Sequence, residues 1–419
     1  MGTFARLARP PAARNIEPVN HSHAANSVRA VHHDPADRPF LVIWESTRAC
    51  QLACQHCRAE AAPGRDSKEL TTDEATTLMS QVADFGKPAP IFIITGGDPF
   101  ERADIYELVR RGKELGLPMA VSPSGTPKLS RESLTKLKDA GASAISLSLD
   151  GASAEVHDGF RRVPGTFDRT ITGWREAREL GLRVQINSTV TKSTVHELPD
   201  LLRLVIELGA MTWSAFLLVP TGRGTELDAL TPRETEDVLN FLYDAGTFAP
   251  VKTTEGHHFR RVVLEREVLA DLGVDHVEAL GLGSLYQDLA ARLAEIGPVD
   301  RKRRPPLHVN AGNGFVFVSH VGTVHPSGFM PIAAGDVREQ TLTDIYRESP
   351  LFLGLRDTSR LEGRCGKCEF AGICGGSRSR AYAVSGDPYG EEPLCPYEPG
   401  SFPYQHELAL ALPNMGNAR

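Results

Sequence analysis

The seven cysteines constrain this chain more than any other feature. They fall into two groups: Cys50, Cys54 and Cys57, then Cys365, Cys368, Cys374 and Cys395. An odd number excludes a complete disulfide framework, and two tight groups with a long cysteine-free span between them are typical of two metal sites. Thiolate sites of this kind belong to a reducing compartment, so we expect a cytoplasmic protein.

A repeating pattern of strands and helices begins at Phe40. The segment 40–44 (FLVIW) predicts a buried strand. Five more apolar segments each follow a helix that ends at a glycine, and they lie at residues 91–95, 119–122, 144–149, 184–190 and 214–219. The alternation predicts a parallel sheet with right-handed crossovers, and the continuous apolar strands fit burial on both faces.

The number of these units limits the fold. Six βα units between about residues 40 and 220 are too few for an eight-fold barrel, so the options are an open, partial (β/α)6 barrel or a doubly wound sheet. Two capping boxes, Thr71 with Glu74 and Thr231 with Glu234, mark helix starts. Beyond the units, the pattern predicts helices at 231–245, 258–272 and 284–296 and a hairpin of 315–319 with 323–325.

Composition excludes some classes of function. The 419 residues carry a net charge of −7, which argues against broad electrostatic capture of nucleic acid or of an anionic membrane. No apolar run approaches the ~18–20 residues of a membrane helix. Residues 1–14 are basic but lack the apolar core of a secretory signal. We therefore expect neither nucleic acid nor membrane as a partner.

The first cysteine group directly follows the first predicted strand. Its spacing is Cys50-x3-Cys54-x2-Cys57, at the end of the strand from which ligands reach a barrel active site. Three thiolates are one short of the usual four for an iron–sulfur cluster, so a cube held by three leaves one iron open to an exogenous ligand. The amino and carboxylate groups of S-adenosylmethionine (SAM) can chelate such an iron. A three-cysteine zinc site or unrelated core cysteines are the alternatives.

These residues resemble a known family. Cys50-Gln-Leu-Ala-Cys54-Gln-His-Cys57 resembles the CxxxCxxC signature of radical SAM enzymes, and the segment 96–99 (GGDP) resembles their GGEP motif, with Asp in place of Glu. The resemblance covers about residues 40–225 and implies a partial (β/α)6 TIM-like barrel, a [4Fe-4S] cluster on the three cysteines, and a GGDP turn whose backbone and acidic side chain hold the SAM amino group. The implied SAM contacts are Gly96, Gly97, Asp98, Pro99, Ser124, Ser148, Asn187, Val219 and Pro220.

The second cysteine group supplies four thiolates, which suit either tetrahedral zinc or a fully ligated iron–sulfur cluster. In its context the group resembles the SPASM extension, a C-terminal domain that carries auxiliary [4Fe-4S] clusters. The chain departs from that pattern near Val309, at Ser327 and at Ser377–Arg378, where further cysteines are expected. The resemblance therefore implies one auxiliary cluster, held by Cys365, Cys368, Cys374 and Cys395, that passes electrons or supports the fold. The alternative ligands for a second cluster are His308, His320 and His325.

The chain divides into five predicted parts. Residues 1–38 form a disordered tail, 39–225 the radical SAM partial barrel, 226–304 a helical linker region, 305–400 a loop-rich SPASM-like Fe–S domain, and 401–419 a C-terminal tail.

The resemblance implies a reaction and its partners. The reaction is reductive cleavage of SAM to a 5′-deoxyadenosyl radical that abstracts hydrogen from a substrate, with a flavodoxin- or ferredoxin-type protein as electron donor. Tetrapyrrole or cofactor biosynthesis is the expected context, and maturation of a ribosomally made peptide is the first alternative. A non-catalytic Fe–S or zinc scaffold is the second. Candidates for binding tetrapyrrole propionates are Arg161-Arg162, His257-His258, Arg260-Arg261 and the arginines of 301–304.

Overall fold

The structure is a computed structural model of the chain, and it describes residues 27–297, 299 and 301–412. These residues build a mixed α/β fold around one eleven-stranded sheet. The strands are β1 (Leu41–Glu45), β2 (Ile91–Thr95), β3 (Met119–Val121), β4 (Ala144–Ser148), β5 (Arg183–Val190), β6 (Thr212–Leu217), β7 (Val251–Thr254), β8 (Asn310–Ala311), β9 (Gly314–Val318), β10 (Thr323–His325) and β11 (Gly335–Asp336).

Helices connect the strands and cover one face of the sheet. The α-helices are α1 (Thr72–Ala83), α2 (Ile105–Glu114), α3 (Arg131–Ala140), α4 (Ala154–Arg161), α5 (Thr166–Glu179), α6 (Leu198–Glu207), α7 (Pro232–Ala245), α8 (Phe259–Leu272), α9 (His276–Leu280), α10 (Ser284–Ala294), α11 (Leu342–Glu348), α12 (Pro350–Arg356), α13 (Gly363–Lys367), α14 (Arg378–Ser385) and α15 (Gln405–Ala411). Both predicted capping boxes are present, at Thr71 with Glu74 and at Thr231 with Glu234.

The sheet has the strand order β11-β10-β9-β1-β2-β3-β4-β5-β6-β7, with β8 beside β9. All neighbours from β9 to β7 along this order are parallel, whereas β10 and β11 are antiparallel. The six predicted strands are therefore confirmed as β1 to β6, in sequential order, and the α/β partial-barrel prediction is confirmed with them. The predicted hairpin corresponds to β9 and β10.

The sheet extends beyond the six predicted units on both sides. On one side, β7 pairs in parallel with β6, in the segment between the predicted helices 231–245 and 258–272, where no strand was predicted. On the other side, β9 pairs in parallel with β1, with Leu41 opposite Phe315. The sequence VKTT of β7 carries one apolar residue, so it lacks the apolar run that marks the other strands. The two cysteine groups are thus attached to one continuous sheet.

The two faces of the barrel strands differ, which corrects the expectation of strands buried on both sides. Phe92, Ile94, Ile186 and Trp213 belong to the main hydrophobic core on the helix-covered face. The opposite, inner face of β3 to β7 is mostly polar, because side chains alternate along a strand. Its polar residues are Ser122, Ser146, Ser148, Gln185, Asn187, Thr189, Thr212, Ser214, Lys252 and Thr254.

The ends of the chain are described in part. Residues 1–26 of the predicted disordered tail lie outside the described residues. Residues 27–38 form backbone hydrogen bonds with the segment around β8 and β9. Arg29 N donates to Pro306 O (2.8 Å), and Gly314 N donates to Pro35 O (3.2 Å). Within the predicted C-terminal tail, α15 packs with α8 in a separate apolar cluster, and residues 413–419 are outside the described part. No helix among the described residues is long and apolar enough to span a membrane.

Candidate functional site

The first cysteine group forms a compact loop at the C-terminal end of β1. Cys50 and Cys54 are buried with Leu52, and Cys57 packs against them. The loop is stabilised by its own backbone, since Leu52 N donates to Cys50 Sγ (3.4 Å) and Ala61 N donates to Cys57 Sγ (3.4 Å). Burial raises the pKa of the Cys50 thiol to about 11, so this thiol ionises only next to a compensating positive charge such as an iron ion.

A buried arginine contacts the same loop from α4. Arg161 Nη1 donates to Cys54 Sγ (3.5 Å), and Nη2 forms an ion pair with Asp150 Oδ2 (2.5 Å). Asp150 follows β4 and accepts from Thr189 N (2.7 Å), which holds the carboxylate in place. Although burial opposes it, the charge of Arg161 keeps the pKa of Asp150 below its usual value. A fixed cation therefore lies beside one of the three thiols.

The GGDP turn after β2 packs directly on the cysteine loop. Gly97 N donates to Thr47 O (2.8 Å), and Asp98 N donates to Ala49 O (2.7 Å). A Cβ at Gly96 would lie 2.2 Å from Thr47 O, and a Cβ at Gly97 would lie 2.3 Å from Ala49 O. Only glycine allows this approach, which explains the two glycines physically.

The side chain of Asp98 is engaged by donors of the protein itself. Its carboxylate is fully buried and accepts from Thr126 Oγ1 (2.7 Å), Phe100 N (3.1 Å) and Ser124 N (3.4 Å). It caps the short helix Pro99–Glu101, in which Pro99 is buried, and burial raises its pKa. This geometry differs from the expectation of a carboxylate that contacts SAM, because protein donors already occupy both oxygens. The backbone of the turn is what faces the loop.

Three other predicted SAM contacts belong to successive strands: Ser124 follows β3, Ser148 ends β4, and Asn187 lies within β5. Ser124 lies between the two motifs, with its hydroxyl donating to Gly97 O (2.7 Å) and 3.8 Å from Cys50 Sγ. Ser148 and Asn187 are side by side on the inner face, paired in register between β4 and β5. Ser124 is thus next to a cysteine, whereas the other two line the barrel interior.

The turn after β6 reaches the cysteine loop as well. Arg223 Nε donates to Cys54 O (2.9 Å), and Arg223 N donates to Cys57 O (3.2 Å). A Cβ at Gly222 would lie 2.6 Å from Cys57 O, so the approach is again as close as glycine permits. Val219 is buried and Pro220 is half-buried at the start of this turn. The turn brings both residues to the rim of the barrel beside the loop.

The four cysteines of the second group line one cavity of about 440 Å³, a volume that includes its open mouth. Burial raises the pKa of Cys368 and of Cys374 to about 12. Among residues 27–297, 299 and 301–412, no three His, Cys, Asp or Glu side chains are arranged to hold a single metal ion. Four thiols around one shared cavity match the ligand number of either tetrahedral zinc or a fully ligated iron–sulfur cluster.

Donors surround the thiols of this cavity. Glu392 N donates to Cys365 Sγ (3.3 Å), Gly376 N donates to Cys374 Sγ (3.4 Å), and Arg378 Nη2 lies 3.7 Å from Cys365 Sγ. Hydrogen bonds of this kind stabilise thiolate sulfur. The arrangement suits sulfur atoms that carry negative charge.

Comparison with known proteins identifies the family. The profile of the radical SAM superfamily matches residues 44–205. The AdoMet-dependent heme synthase of Oleidesulfovibrio alaskensis is 38% identical over 388 residues, which cover 91% of this chain and 93% of that protein. This chain belongs to the radical SAM superfamily. The enzyme of the same description from Methanosarcina barkeri is 38% identical, covering 86% of this chain and 97% of that protein.

More distant relatives extend the comparison. The PqqA peptide cyclase of Bradyrhizobium diazoefficiens is 27% identical to this radical SAM chain, covering 86% of this chain and 87% of that protein. The crystal structure of Streptococcus suis SuiB matches with a TM-score of 0.63 at 17% identity, covering 86% of this chain and 78% of that one. At that identity the match concerns the fold alone, and it agrees with the partial barrel described above.

Family membership establishes the general chemistry. The chain is an enzyme whose cofactors are SAM and a [4Fe-4S] cluster, and it cleaves SAM reductively to generate the radical that abstracts hydrogen from its substrate. The donor set fits this requirement, because three thiols lie in one loop and the glycine turns of β2 and β6 pack directly against it. This enzyme assignment makes a non-catalytic scaffold the wrong description of the chain.

Two of the positions where the SPASM pattern expects further cysteines, Ser327 and Ser377, belong to a network of serine hydroxyls. Ser327 and Ser379 donate to Glu255 Oε1 (3.2 and 3.0 Å), and Ser377 donates to Glu255 Oε2. Glu255 follows β7 with a positive φ of 56°, a strained conformation for a non-glycine residue. A carboxylate with three serines therefore fills this space between the barrel and the second cysteine group.

The alternative histidine ligands lie apart from one another. His320 contacts Glu45 (3.1 Å) and Asp66 (3.5 Å), and His325 Nδ1 lies 3.0 Å from Ile332 O. Burial lowers the pKa of His308 to about 4. None of the three joins a metal-holding group in the described residues.

The arginines considered for propionates are mostly engaged by the protein. Arg161 pairs with Asp150. Arg260 donates to Leu307 O (3.1 Å) and Ile373 O (3.1 Å). Arg261 forms ion pairs with Glu236 and Glu265. Arg162 is exposed. Sequence reasoning did not select Lys252, because it did not predict β7. It did not select Arg380 either, because the segment after Cys374 was compared only with the SPASM pattern.

Proposed function

We propose that this radical SAM enzyme acts on an iron tetrapyrrole with carboxylate side chains, in the formation of heme or a heme-type cofactor. The single observation that carries the proposal is the 38% identity to two AdoMet-dependent heme synthases over almost the whole chain, against 27% to a peptide cyclase. The inner face of the barrel supports it, because β1 and β2 present Ile43 and Ile93 opposite the polar strands β3 to β7. An apolar wall and a polar wall suit a flat ligand with a charged edge.

We assign Cys50, Cys54 and Cys57 as the ligands of the SAM-binding cluster. When bound, cluster and SAM together supply the electron and the 5′-deoxyadenosyl radical. The protein holds these groups out of water: Gly96 and Gly97 allow the β2 turn to pack on the loop, and Arg223 fixes the loop from β6. Pro99 and the cap made by Asp98 hold this turn in shape.

The remaining proposed SAM contacts form a line from the loop into the barrel. Ser124 lies beside Cys50, Ser148 and Asn187 face the interior, and Val219 with Pro220 borders the rim. These residues offer hydroxyl, amide and apolar surface, which matches the mixed character of a nucleoside sulfonium.

We propose that Cys365, Cys368, Cys374 and Cys395 bind one auxiliary [4Fe-4S] cluster. Four thiols close all iron positions, so this cluster transfers electrons or supports the fold rather than binding substrate. The electron donor that we propose is a flavodoxin- or ferredoxin-type protein.

Anaerobic reconstitution tests the cofactor assignment. Two clusters correspond to about eight iron ions per chain. With dithionite and SAM, the wild-type protein should form 5′-deoxyadenosine. The triple variant Cys50→Ala, Cys54→Ala, Cys57→Ala should lose about half of the iron and all of the 5′-deoxyadenosine, whereas Cys368→Ala should retain iron at the first site. About twelve iron ions per chain would contradict a single auxiliary cluster.

Substrate binding tests the tetrapyrrole assignment. The anaerobic holoenzyme is titrated with iron coproporphyrin III, a tetrapyrrole with four propionates, and the shift of its Soret band is recorded. Saturable binding with substrate-dependent formation of 5′-deoxyadenosine is expected. Absence of any porphyrin binding would contradict the tetrapyrrole assignment and would favour the peptide-maturase alternative.

A further inference from the structure

Lys252 lies on the inner face of the barrel. It is the second residue of β7 and pairs in register with Ser214 of β6. The hydroxyls of Ser214 and Thr254 are 3.0 Å apart, which places both on one face, and Lys252 shares that face because it is two residues from Thr254. The adjacent Val251 packs instead in the helix-side core.

Lys252 ends a row of inner-face residues that runs across four strands. Ser148 pairs with Asn187, Asn187 pairs with Ser214, and Ser214 pairs with Lys252. Neighbouring strands are about 4.8 Å apart, so the Cα atoms of Ser148 and Lys252 are separated by roughly 14 Å along the row. The first two members are proposed SAM contacts, and the lysine lies at the other end of the row.

No acidic partner neutralises this lysine. Within the described residues, Lys252 makes no hydrogen bond or ion pair, and burial lowers the pKa of its ammonium group to about 8. The charge that acts on it is that of Arg304, another cation, which lowers its pKa further. An ammonium group that is half-buried without an anion is less stable than a paired one.

Two acidic residues near this face, Glu45 and Glu255, interact with other residues. Glu45 of β1 pairs with Arg58 (3.1 Å) and His320 (3.1 Å). Glu255, three residues after Lys252, accepts hydrogen bonds from three serines. Both carboxylates are engaged elsewhere, which leaves Lys252 available to a carboxylate of a ligand.

We propose that Lys252 binds a carboxylate side chain of the tetrapyrrole substrate inside the barrel; the inference rests on the function proposed above. SAM also carries a carboxylate, and separate affinities for porphyrin and for SAM distinguish the two ligands. A propionate at Lys252 sets the orientation of the ring, with its flat face against Ile43 and Ile93. Lysine suits this task because a point charge on a long side chain tolerates small displacements of the ligand.

Binding measurements on the anaerobic holoenzyme test the proposal. The variants are Lys252→Met, which keeps the length and removes the charge, Lys252→Arg, which restores a charge, and Lys136→Met, a matched loss of an exposed lysine on α3. Dissociation constants are measured for iron coproporphyrin III and separately for SAM. We expect Lys252→Met to weaken porphyrin binding about tenfold, as for a lost charged hydrogen bond, with SAM affinity unchanged. Lys252→Arg should recover most of the affinity, and Lys136→Met should match the wild type.

Each contrary outcome has a distinct meaning. Equal porphyrin affinity of Lys252→Met and wild type overturns the role of Lys252 while the tetrapyrrole assignment stands. Loss of SAM affinity with normal porphyrin affinity shows that the carboxylate belongs to SAM, which also overturns it. A wild-type enzyme that binds no porphyrin overturns the substrate class and the lysine assignment together. Thermal unfolding serves as a control, because removal of an uncompensated cation should leave the melting temperature unchanged or higher.

Discussion

Arg380 and Glu392 form a buried ion pair (2.9 Å) that joins the two cysteine regions. The same guanidinium donates to Leu217 O (3.0 Å) and Leu218 O (2.9 Å) at the end of β6, beside the turn that packs on the first cysteine loop. Glu392 in turn donates its backbone N–H to Cys365 Sγ (3.3 Å). A continuous set of contacts therefore connects the barrel rim to the second cysteine group.

Loss of Arg380 should destabilise the protein strongly. Arg380→Leu leaves the buried Glu392 carboxylate without its cationic partner, although Ser377 N and Leu394 N still donate to it, and this costs about 3–5 kcal/mol of unfolding free energy. Arg131→Leu provides the control, because Arg131 pairs with Glu179 (2.6 Å) at an exposed position where a pair contributes about 0–1 kcal/mol. Denaturant unfolding measures the loss of unfolding free energy in both variants. Equal losses would show that the buried pair stabilises the protein no more than the exposed pair.

Arg161 should raise the reduction potential of the SAM-binding cluster. Its guanidinium donates to Cys54 Sγ, and a cation there favours the reduced, more negative cluster. Arg161→Gln should lower the midpoint potential, by about 60 mV if the lost interaction changes the equilibrium tenfold. Potentiometric titration followed by EPR measures the shift. The neighbouring exposed Arg162 offers the control variant Arg162→Gln, and the same potential in both variants would contradict the assignment.

Gly97→Ala should disrupt the first site. The new Cβ would lie 2.3 Å from Ala49 O, so the turn must move off the cysteine loop, at a cost of about 1–3 kcal/mol. Iron content after reconstitution and SAM affinity should both fall. Gly64→Ala is the control, since a Cβ there meets nothing within 4 Å. Normal SAM binding in Gly97→Ala would mean that the close approach is dispensable.

Cluster retention should depend steeply on pH. Burial raises the pKa of Cys50 to about 11 and of Cys368 and Cys374 to about 12 in the iron-free protein, so each of these thiols is protonated at neutral pH and must release a proton to bind iron. Because binding releases protons, the apparent affinity decreases as pH falls, by up to about tenfold per pH unit for each thiol. Iron retained after a chelator challenge between pH 6.5 and 8.5 measures this. A flat profile would indicate thiols that are already ionised before iron binds.

Local patterns were sufficient for much of the fold and for the cysteine sites. Strands β1 to β6 each carry an apolar run, and glycines end the helices before β2 to β6, so each of these units has a recognisable local pattern. The spacing of Cys50, Cys54 and Cys57 is likewise local. Strand β7 was missed because VKTT contains a single apolar residue and therefore no apolar run. Its pairing with β6 is visible only in the structure.

The sequence by itself determined the two cysteine groups, the order of the βα units and the motif at each strand end. Only the tertiary structure decided that Asp98 turns inward to cap a helix, that Lys252 faces the barrel interior, and that Arg380 and Glu392 meet. The physical reason is that each of these outcomes depends on partners far away in sequence or on strand register. Burial and charge pairing act on neighbours in space, and the fold creates those neighbours.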